Sequence, residues 1–207
     1  MGPPVSSSPF AQMPDAIYAI SSDLTGEAYT LTTALWDVLE RRFGLRAARA
    51  AKHPHLTYVV GECAKPEALA GQLDELADRM PTRHVEIDGL GVFQGEHPVV
   101  YLKVTNREQL APVQCSLAQL ARDAGMQIWP YYAQNVWVPH VTLALQDLHP
   151  ERLNAVLEEL KARPIRLVSP LASVELVEVV MPEHVYYKRF HMAGCAGSES
   201  SAARTKR

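Results

Sequence analysis

One four-residue pattern occurs twice in the chain, and it constrains the fold more than any other feature. Pro-His-Leu-Thr occupies residues 54–57, and Pro-His-Val-Thr occupies residues 139–142. With eight histidines in 207 residues, chance alone predicts fewer than one His-x-Thr tripeptide. Two copies, each preceded by proline and followed by an apolar run, therefore indicate an internal repeat, which is the sequence signature of repeated structural units.

A matching helical pattern follows each copy at nearly the same distance. Residues 66–79 and 150–163 both begin with Pro-Glu and have leucine at their fourth, eighth and eleventh positions. In both, an acidic pair lies between the last two leucines, and arginine is the final residue. Pro-Glu starts and leucines spaced three or four residues apart suit any surface helix. Because the His-x-Thr pair comes with them, the two segments predict a chain built from two similar halves.

Short apolar strands alternate with amphipathic helices along the rest of the chain. The patterns predict strands at 16–20, 56–61, 85–93, 99–104, 140–145, 174–180 and 185–190, and helices at 25–43, 66–80, 108–124 and 150–163. The order is mixed and has no continuous βαβ alternation, so the predicted fold class is α+β. Residues 1–13 and 194–207 hold too few apolar groups to offset the entropy of ordering, which predicts disordered ends around one domain at 14–193.

Composition excludes several classes of protein. The net charge of −3 argues against a protein that holds long nucleic acid by bulk charge, because such binding depends on many phosphate contacts. No apolar run approaches the roughly 18 residues that cross a bilayer, and the start lacks the pattern of a secretory signal, so we expect a cytoplasmic protein without a membrane partner. The three cysteines share no metal-ligand spacing, which favours reduced thiols.

The His-x-Thr spacing has a direct geometric meaning in a strand. Residues i and i+2 of a strand point to the same face, roughly 6–7 Å apart. His55 and Thr57 therefore face one way together, as do His140 and Thr142. If the two halves pack about a pseudo-twofold axis, these four polar side chains meet in one cleft.

Two opposed imidazoles suit phosphoryl chemistry without a metal. One neutral histidine can accept a proton from the attacking oxygen while the other, protonated, gives one to the leaving oxygen. The hydroxyls of Thr57 and Thr142 can donate hydrogen bonds to the non-bridging phosphate oxygens. A single His-x-Thr would more often be a strand end with threonine present for its β-propensity, but the duplication favours the chemical interpretation, with either histidine as the acid.

At these residues the chain resembles the two-histidine phosphoesterase superfamily, and within it the RNA 2′,3′-cyclic phosphodiesterases, also called 2′-5′ RNA ligases. The resemblance spans most of residues 16–192. It is carried by the two His-x-Thr motifs, by Ile-Asp-Gly-Leu-Gly-Val-Phe at 87–93 and by the strand at 99–102. It implies a duplicated bilobal fold, with two antiparallel-sheet lobes, helices outside and a central cleft.

The resemblance also implies a function and a set of site residues. It implies hydrolysis of 2′,3′-cyclic phosphates or 2′-5′ linkages of nucleotides or RNA ends, without metal or cofactor. His55 and His140 would act as acid and base, and Thr57 and Thr142 would bind phosphate. Leu-Ala-Leu-Gln at 143–146 stands where the RNA-ligase branch often carries a basic residue, which favours a nucleotide or a short RNA end over long RNA.

Several aromatic residues are further candidates. Tyr187 corresponds roughly to an aromatic near the cleft in the family, so we expect it to contact substrate, and strand alternation sends Arg189 to the same side. Tyr132 either stacks on a base or packs in the core, whereas we expect Trp137 to be a core residue. His53 either extends the phosphate-binding face or is a solvated loop residue.

The sequence thus predicts a phosphodiesterase that acts as a monomer. Two other classes of function remain open at this point. A non-catalytic module could retain the cleft to hold a nucleotide or RNA end, although arginine or lysine would serve pure binding as well as histidine. A scaffold protein would neither hydrolyse nor tightly bind nucleotides.

Overall fold

A computed structural model describes residues 16–180 and 183–193, with the side chains of 183–187 outside the description. The predicted disordered ends, 1–13 and 194–207, lie outside the described residues. The strands are β1 Ile17–Asp23, β2 His55–Glu62, β3 Arg83–Phe93, β4 Val99–Val104, β5 Gln127–Ile128, β6 His140–Ala144, β7 Arg166–Leu171, β8 Ser173–Val180 and β9 Glu183–His191. The helices are α1 Gly26–Phe43, α2 Pro66–Ala77, α3 Arg107–Asp123 and α4 Leu153–Lys161.

The strands form two antiparallel sheets. The larger sheet has five strands in the order β5-β2-β1-β8-β9, and the smaller has four in the order β6-β4-β3-β7. Each of the two His-x-Thr strands, β2 and β6, therefore belongs to a different sheet. This arrangement confirms the predicted α+β fold with two antiparallel-sheet lobes, and the strands predicted at 174–180 and 185–190 pair with each other as β8 and β9.

The helices between the strands cover one face of each sheet. Helix α1 joins β1 to β2 of the five-stranded sheet, yet it packs against β6 and β7 of the other sheet. Helix α3 lies between β4 and β6 in the sequence, yet it packs against β2 and β5. Each half of the chain thus supplies a helix to the opposite lobe, and one continuous apolar core runs through both lobes.

Two strands were not predicted from the sequence. Strand β5 is only two residues long, which gives no detectable alternation. Strand β7 alternates between buried and exposed residues but contains Pro170, which argues against a central strand because proline cannot donate to the ladder. The sheet order makes β7 an edge strand, where the missing N–H is tolerated.

Two predicted helices have different ends in the structure. The first ends at Ala77 rather than at Met80, because the following backbone N–H groups bond to carbonyls three residues back and tighten the turn. The second opens with a 3-10 turn at Pro150–Arg152 before α4 begins. None of the helices in the described segments is long and apolar enough to cross a membrane.

Candidate active site

Strand β2 directs its polar residues away from the core. Leu56 and Tyr58 are fully buried in the apolar core, whereas His55 and Thr57 are half-buried on the opposite face. This is the alternation that the period of a strand requires. The histidine and the threonine of the first motif therefore share one face, as the sequence predicted.

Strand β6 repeats the arrangement in the other lobe. Val141 and Leu143 are buried in the core, and His140 and Thr142 are half-buried on the other face. Both His-x-Thr pairs line a single cavity of about 310 Å³ between the lobes. The structure thus brings together the four residues that the sequence singled out.

The two imidazoles are held by the same backbone contact. The Nδ1 atom of His55 lies 2.8 Å from the carbonyl oxygen of His53, and the Nδ1 atom of His140 lies 2.8 Å from that of Val138. A carbonyl oxygen only accepts hydrogen bonds, so Nδ1 carries the proton and donates in each ring. The Nε2 atom of each histidine is then the one that can accept or give a proton during a reaction.

A β-bulge follows each motif at the same position. Ile20 and Ser21 of β1 pair with Val59 and Thr57 of β2, so Tyr58 is an extra residue on β2. Because of this bulge, the next residue facing the cavity after Thr57 is Val60. The bulged strand also bends at this point, as bulges do.

The second motif carries the equivalent bulge. Val100 and Tyr101 of β4 pair with Ala144 and Thr142 of β6, which makes Leu143 the extra residue. A bulge interrupts the ladder locally and leaves backbone groups available for other partners. The similarity of the two halves therefore extends from sequence to backbone geometry.

A tryptophan from the other half of the chain binds the carbonyl oxygen of each motif threonine. The indole Nε1 of Trp36, on α1, donates to the carbonyl of Thr142 at 3.1 Å. The indole Nε1 of Trp137, just before β6, donates to the carbonyl of Thr57 at 3.0 Å. We call Trp36 and Trp137 the tryptophan pair; each member links its own half to the His-x-Thr strand of the other half.

Two aromatic rings surround His140. The ring centroid of His140 lies 5.0 Å from that of Phe93 and 5.2 Å from that of Tyr101. Loss of water around the ring lowers the pKa of His140 below its usual value of 6.5, while the Val138 carbonyl opposes this effect and the nearby His55 adds to it. Desolvation disfavours the charged form of an imidazole, so His140 tends to be neutral.

The position of Tyr101 depends on a glycine across the hairpin. Gly91 pairs directly with Tyr101, and a Cβ atom at Gly91 would overlap the tyrosine ring. Both Gly89 and Gly91 lie inside β3, and the register shift between Ile87 and Leu90 includes Gly89. Sequence reasoning missed Tyr101 and Phe93 as neighbours of His140, because their proximity depends on strand pairing.

A row of polar residues crosses the five-stranded sheet beside the cavity. The register places Thr57, Ser21, Glu175 and Arg189 opposite one another on successive strands, and Ser21 lines the cavity. Arg189 forms ion pairs with Asp23 and with Glu175, the latter with Nε and Oε1 3.0 Å apart. Arg189 is therefore engaged by carboxylates, and Ser21 is a cavity residue that the sequence did not reveal.

The remaining candidates are Tyr132, Trp137, His53 and Tyr187. Tyr132 lines the cavity, and burial raises its pKa to about 12, so its phenol is neutral; Trp137 is 2% exposed, which confirms it as a core residue. His53 contributes its carbonyl to His55, while its ring lies 6.1 Å from that of Tyr29. The side chain of Tyr187 lies outside the described residues, so its predicted role stays a prediction.

Comparisons with known proteins agree with this architecture. A profile described as the 2′-5′ RNA ligase superfamily matches residues 27–180. A search of curated proteins gave no significant match.

Solved structures share the fold at low sequence identity. The protein TT0787 from Thermus thermophilus has a TM-score of 0.62 at 18% identity, over 86% of this chain and 99% of that one. LigT from E. coli, crystallised with NADP+, has a TM-score of 0.56 at 17% identity, over 87% and 98%. LigT with 3′-AMP gives 0.56 at 18% identity, over 87% and 99%.

Proposed function

Because this chain belongs to the 2′-5′ RNA ligase superfamily, whose members are two-histidine phosphoesterases, we propose that it is a metal-independent phosphodiesterase. Its substrates are nucleotides or RNA ends that carry a 2′,3′-cyclic phosphate or a 2′-5′ linkage. His55 and His140 are the acid–base pair, and Thr57 and Thr142 bind the phosphate. Tyr187 is a further substrate contact in this proposal.

The reaction with a cyclic phosphate is a displacement at phosphorus by water. The Nε2 atom of one histidine accepts a proton from the water as the new P–O bond forms. The Nε2–H of the other histidine gives a proton to the ribose oxygen as the old P–O bond breaks, leaving a phosphomonoester. Exchange with solvent then restores both histidines, and no net proton is held by the enzyme.

The desolvated environment of His140 supports its role as the base in this direction. A lowered pKa keeps this imidazole neutral near pH 7, and only a neutral imidazole can accept a proton. His55 would then act as the acid. Both threonine hydroxyls face the same cavity and would donate to the non-bridging oxygens, which gain charge in the transition state.

One observation carries the proposal more than any other. Two imidazoles from different lobes line one cavity, and both Nδ1 atoms are tied to backbone carbonyls. In the proposed reaction, proton transfer would therefore use the Nε2 atom of each ring. Pure binding of a phosphate gains nothing from such matched orientation of two titratable rings.

The proposal is tested with a nucleoside 2′,3′-cyclic phosphate in excess EDTA, with ³¹P NMR to identify the product. His55→Ala and His140→Ala should each lower kcat/KM by about 10²–10⁴-fold, the usual contribution of a positioned acid or base. Removing one hydroxyl, as in Thr142→Val, should cost about 3 kcal/mol of barrier. Thermal unfolding of each variant verifies that the fold is retained.

His191→Ala is the matched control, because His191 is exposed on β9 and is not among the cavity residues. It should retain wild-type turnover. Near wild-type activity in both motif variants would remove the histidines from the mechanism. If the wild-type protein binds the cyclic nucleotide tightly without hydrolysing it, the protein is instead a non-catalytic nucleotide-binding module.

A further inference from the structure

One wall of the cleft is apolar and separate from the main core. Ala19, Val60 and Val177 form a second buried cluster, with Ile17, Val179 and Tyr132 packed against it. All six residues line the cavity that holds the four motif residues. We call these six residues the apolar wall.

The apolar wall continues the strands that carry the motif. Val60 follows Thr57 on β2, and Ala19 precedes Ser21 on β1, so wall and polar residues share one sheet face. A phosphate held at Thr57 thus places whatever is attached to it beside the wall. Burying a flat nonpolar ring there removes apolar surface from water on both partners, which favours binding.

Among the described residues that line the cavity, the two histidines are the only side chains that can carry a charge near neutral pH. Among the residues that the structure describes, those lining the cavity include no lysine, arginine, aspartate or glutamate. Its other polar groups are neutral side chains such as Ser21, Thr57, Thr142 and Gln146. Gln146 lies two positions beyond the end of β6.

One of the cations near the cavity is already paired with carboxylates. Arg189 is bound by Asp23 and Glu175. Burial and the neighbouring Asp23 raise the pKa of Glu175 to about 7, so the three groups together carry little net charge at neutral pH. This cluster therefore supplies no positive field that would attract a chain of phosphates.

The cavity also has the size of a site for a single small molecule. Its volume of about 310 Å³ is at the lower end of the roughly 300–1,000 Å³ of ligand pockets. A nucleoside monophosphate suits such a volume, whereas further nucleotides of a strand would lie outside it. The nucleotides outside the cavity would then bind only through contacts with the protein surface. Such contacts with phosphates are strong only where lysine or arginine takes part.

From this combination we infer the substrate class: a small phosphodiester with one negative charge and one flat ring, such as a nucleoside 2′,3′-cyclic phosphate, with its base on the apolar wall. The inference rests on the proposed phosphodiesterase function and narrows it, since RNA strands with the same cyclic end are poor substrates. Stacking on an apolar surface tolerates any base, so the four bases differ in kcat/KM by less than about tenfold.

The first test compares two substrates on the wild-type protein. A nucleoside 2′,3′-cyclic phosphate should have kcat/KM at least about tenfold above that of a ten-nucleotide RNA with the same cyclic end, because the described residues that line the cavity include no lysine or arginine to bind further phosphates. For both substrates, kcat/KM should change by less than about twofold between 50 and 300 mM NaCl, because few counterions are released.

A second test changes the wall without changing its volume. Val177→Thr places a hydroxyl on the wall and should raise KM for the cyclic nucleotide several-fold with little change in kcat. Val174→Thr is the matched control, because Val174 is buried in the core on the same strand, β8. It should lower the thermal stability and leave KM unchanged, which separates a binding effect from a structural one.

A third test adds a positive charge at the edge of the cavity. Val179 lies at the partly exposed edge of the wall, so Val179→Lys puts an ammonium at the cavity. It should raise kcat/KM for the RNA end by about three- to tenfold at 50 mM NaCl, and the gain should disappear at 300 mM. Val168→Lys makes the same change at a 60% exposed valine on β7 of the other sheet, and should have no effect.

The outcomes separate this inference from the function on which it rests. Equal or better hydrolysis of the RNA end, with a steep loss on adding salt, would overturn the substrate class and leave the phosphodiesterase function intact. An unchanged KM in Val177→Thr would also overturn it. Absence of hydrolysis of both substrates by folded wild-type protein would contradict the phosphodiesterase function and this inference with it.

Discussion

His55 and His140 have matching sequences, and two aromatic rings lie beside His140. Each donates from Nδ1 to the carbonyl two residues earlier, yet the structure shows two aromatic rings, Phe93 and Tyr101, against His140. The repeat alone leaves the two histidines interchangeable. Desolvation lowers the pKa of His140, and the structure shows that these two rings lie beside its imidazole.

The pH dependence of hydrolysis should report the lowered pKa of His140. Since His140 must be neutral to accept a proton, kcat/KM should fall as the pH drops through its pKa, with the midpoint of the acid limb below 6.5. Phe93→Ala should let water reach the ring and move this midpoint upward towards 6.5. The measurement is a pH profile of kcat/KM, together with an NMR titration of the imidazole.

The control for that measurement is Val92→Ala, which removes apolar contacts with the main core from the neighbouring position on β3. It should lower stability without moving the acid limb. An acid limb that stays in place in Phe93→Ala would show that the aromatic packing does not set the pKa of His140.

Single residues differ in how far the sequence could reveal them. The repeat identified His55, Thr57, His140 and Thr142, because a spacing of two residues fixes their common face. Ser21 belongs to no motif, and it reaches the cavity only because β1 pairs with β2. Its identification needs the register of the sheet, which a single sequence does not supply.

At the scale of the strand, the repeat includes a bulge after each threonine and an indole bond to each threonine carbonyl. Tyr58 and Leu143 are the extra residues, and Trp137 and Trp36 are the respective donors. A backbone carbonyl freed by a bulge needs another partner when it is buried. The tryptophan pair supplies that partner and fixes each motif against the opposite half of the chain.

Loss of one indole should therefore affect both stability and turnover. Trp137→Phe keeps a six-membered aromatic ring but removes the pyrrole ring and its Nε1–H, so the Thr57 carbonyl loses its donor, at a cost of about 1–3 kcal/mol in the free energy of unfolding, and the gap left in the core adds to this cost. Because Thr57 then shifts, we expect kcat to fall by about tenfold, with a smaller change in KM. Chemical denaturation and steady-state kinetics measure the two effects.

Trp36→Phe provides the symmetric comparison at Thr142 and should show the same pattern. If Trp137→Phe loses stability while kcat stays at the wild-type value, the indole is a structural contact without influence on the position of Thr57.

Helices and strands could be predicted from the sequence where neighbouring residues determine their bounds. Helix α1 ends at Phe43, as predicted, and Gly44 caps it with a φ of 70°, a conformation in which glycine is favoured because it lacks a Cβ. Strand β4 was predicted with its observed bounds. Strand β7 was missed because the proline at 170 masks its alternation, and the edge position that permits this proline is a property of the assembled sheet.

At the scale of the molecule, the exchange of α1 and α3 joins the two lobes. Each helix follows a strand of one sheet and packs on the other, and the apolar core is continuous. The sequence predicted two similar halves but could not show this exchange, because it depends on contacts between distant segments. Each half alone would leave one apolar helix face uncovered.

This interlocking predicts one cooperative unfolding transition for the whole domain. Tryptophan fluorescence reports on Trp36 and Trp137 at the lobe junction and on Trp129 in the cavity lining, and far-UV circular dichroism reports on all elements. Both signals should give the same midpoint in urea, as expected for a two-state domain. Separate midpoints, or a plateau between two transitions, would show that the lobes fold independently.

The exchange of α1 and α3 also has a consequence for a chain of half this length. A polypeptide containing one His-x-Thr strand and one such helix would have no surface of its own on which to bury that helix. Two copies related by a twofold axis would satisfy each other, in the way symmetric dimers do. A complete pair of histidines would then exist only in the dimer, and joining the copies end to end would make it permanent within one chain.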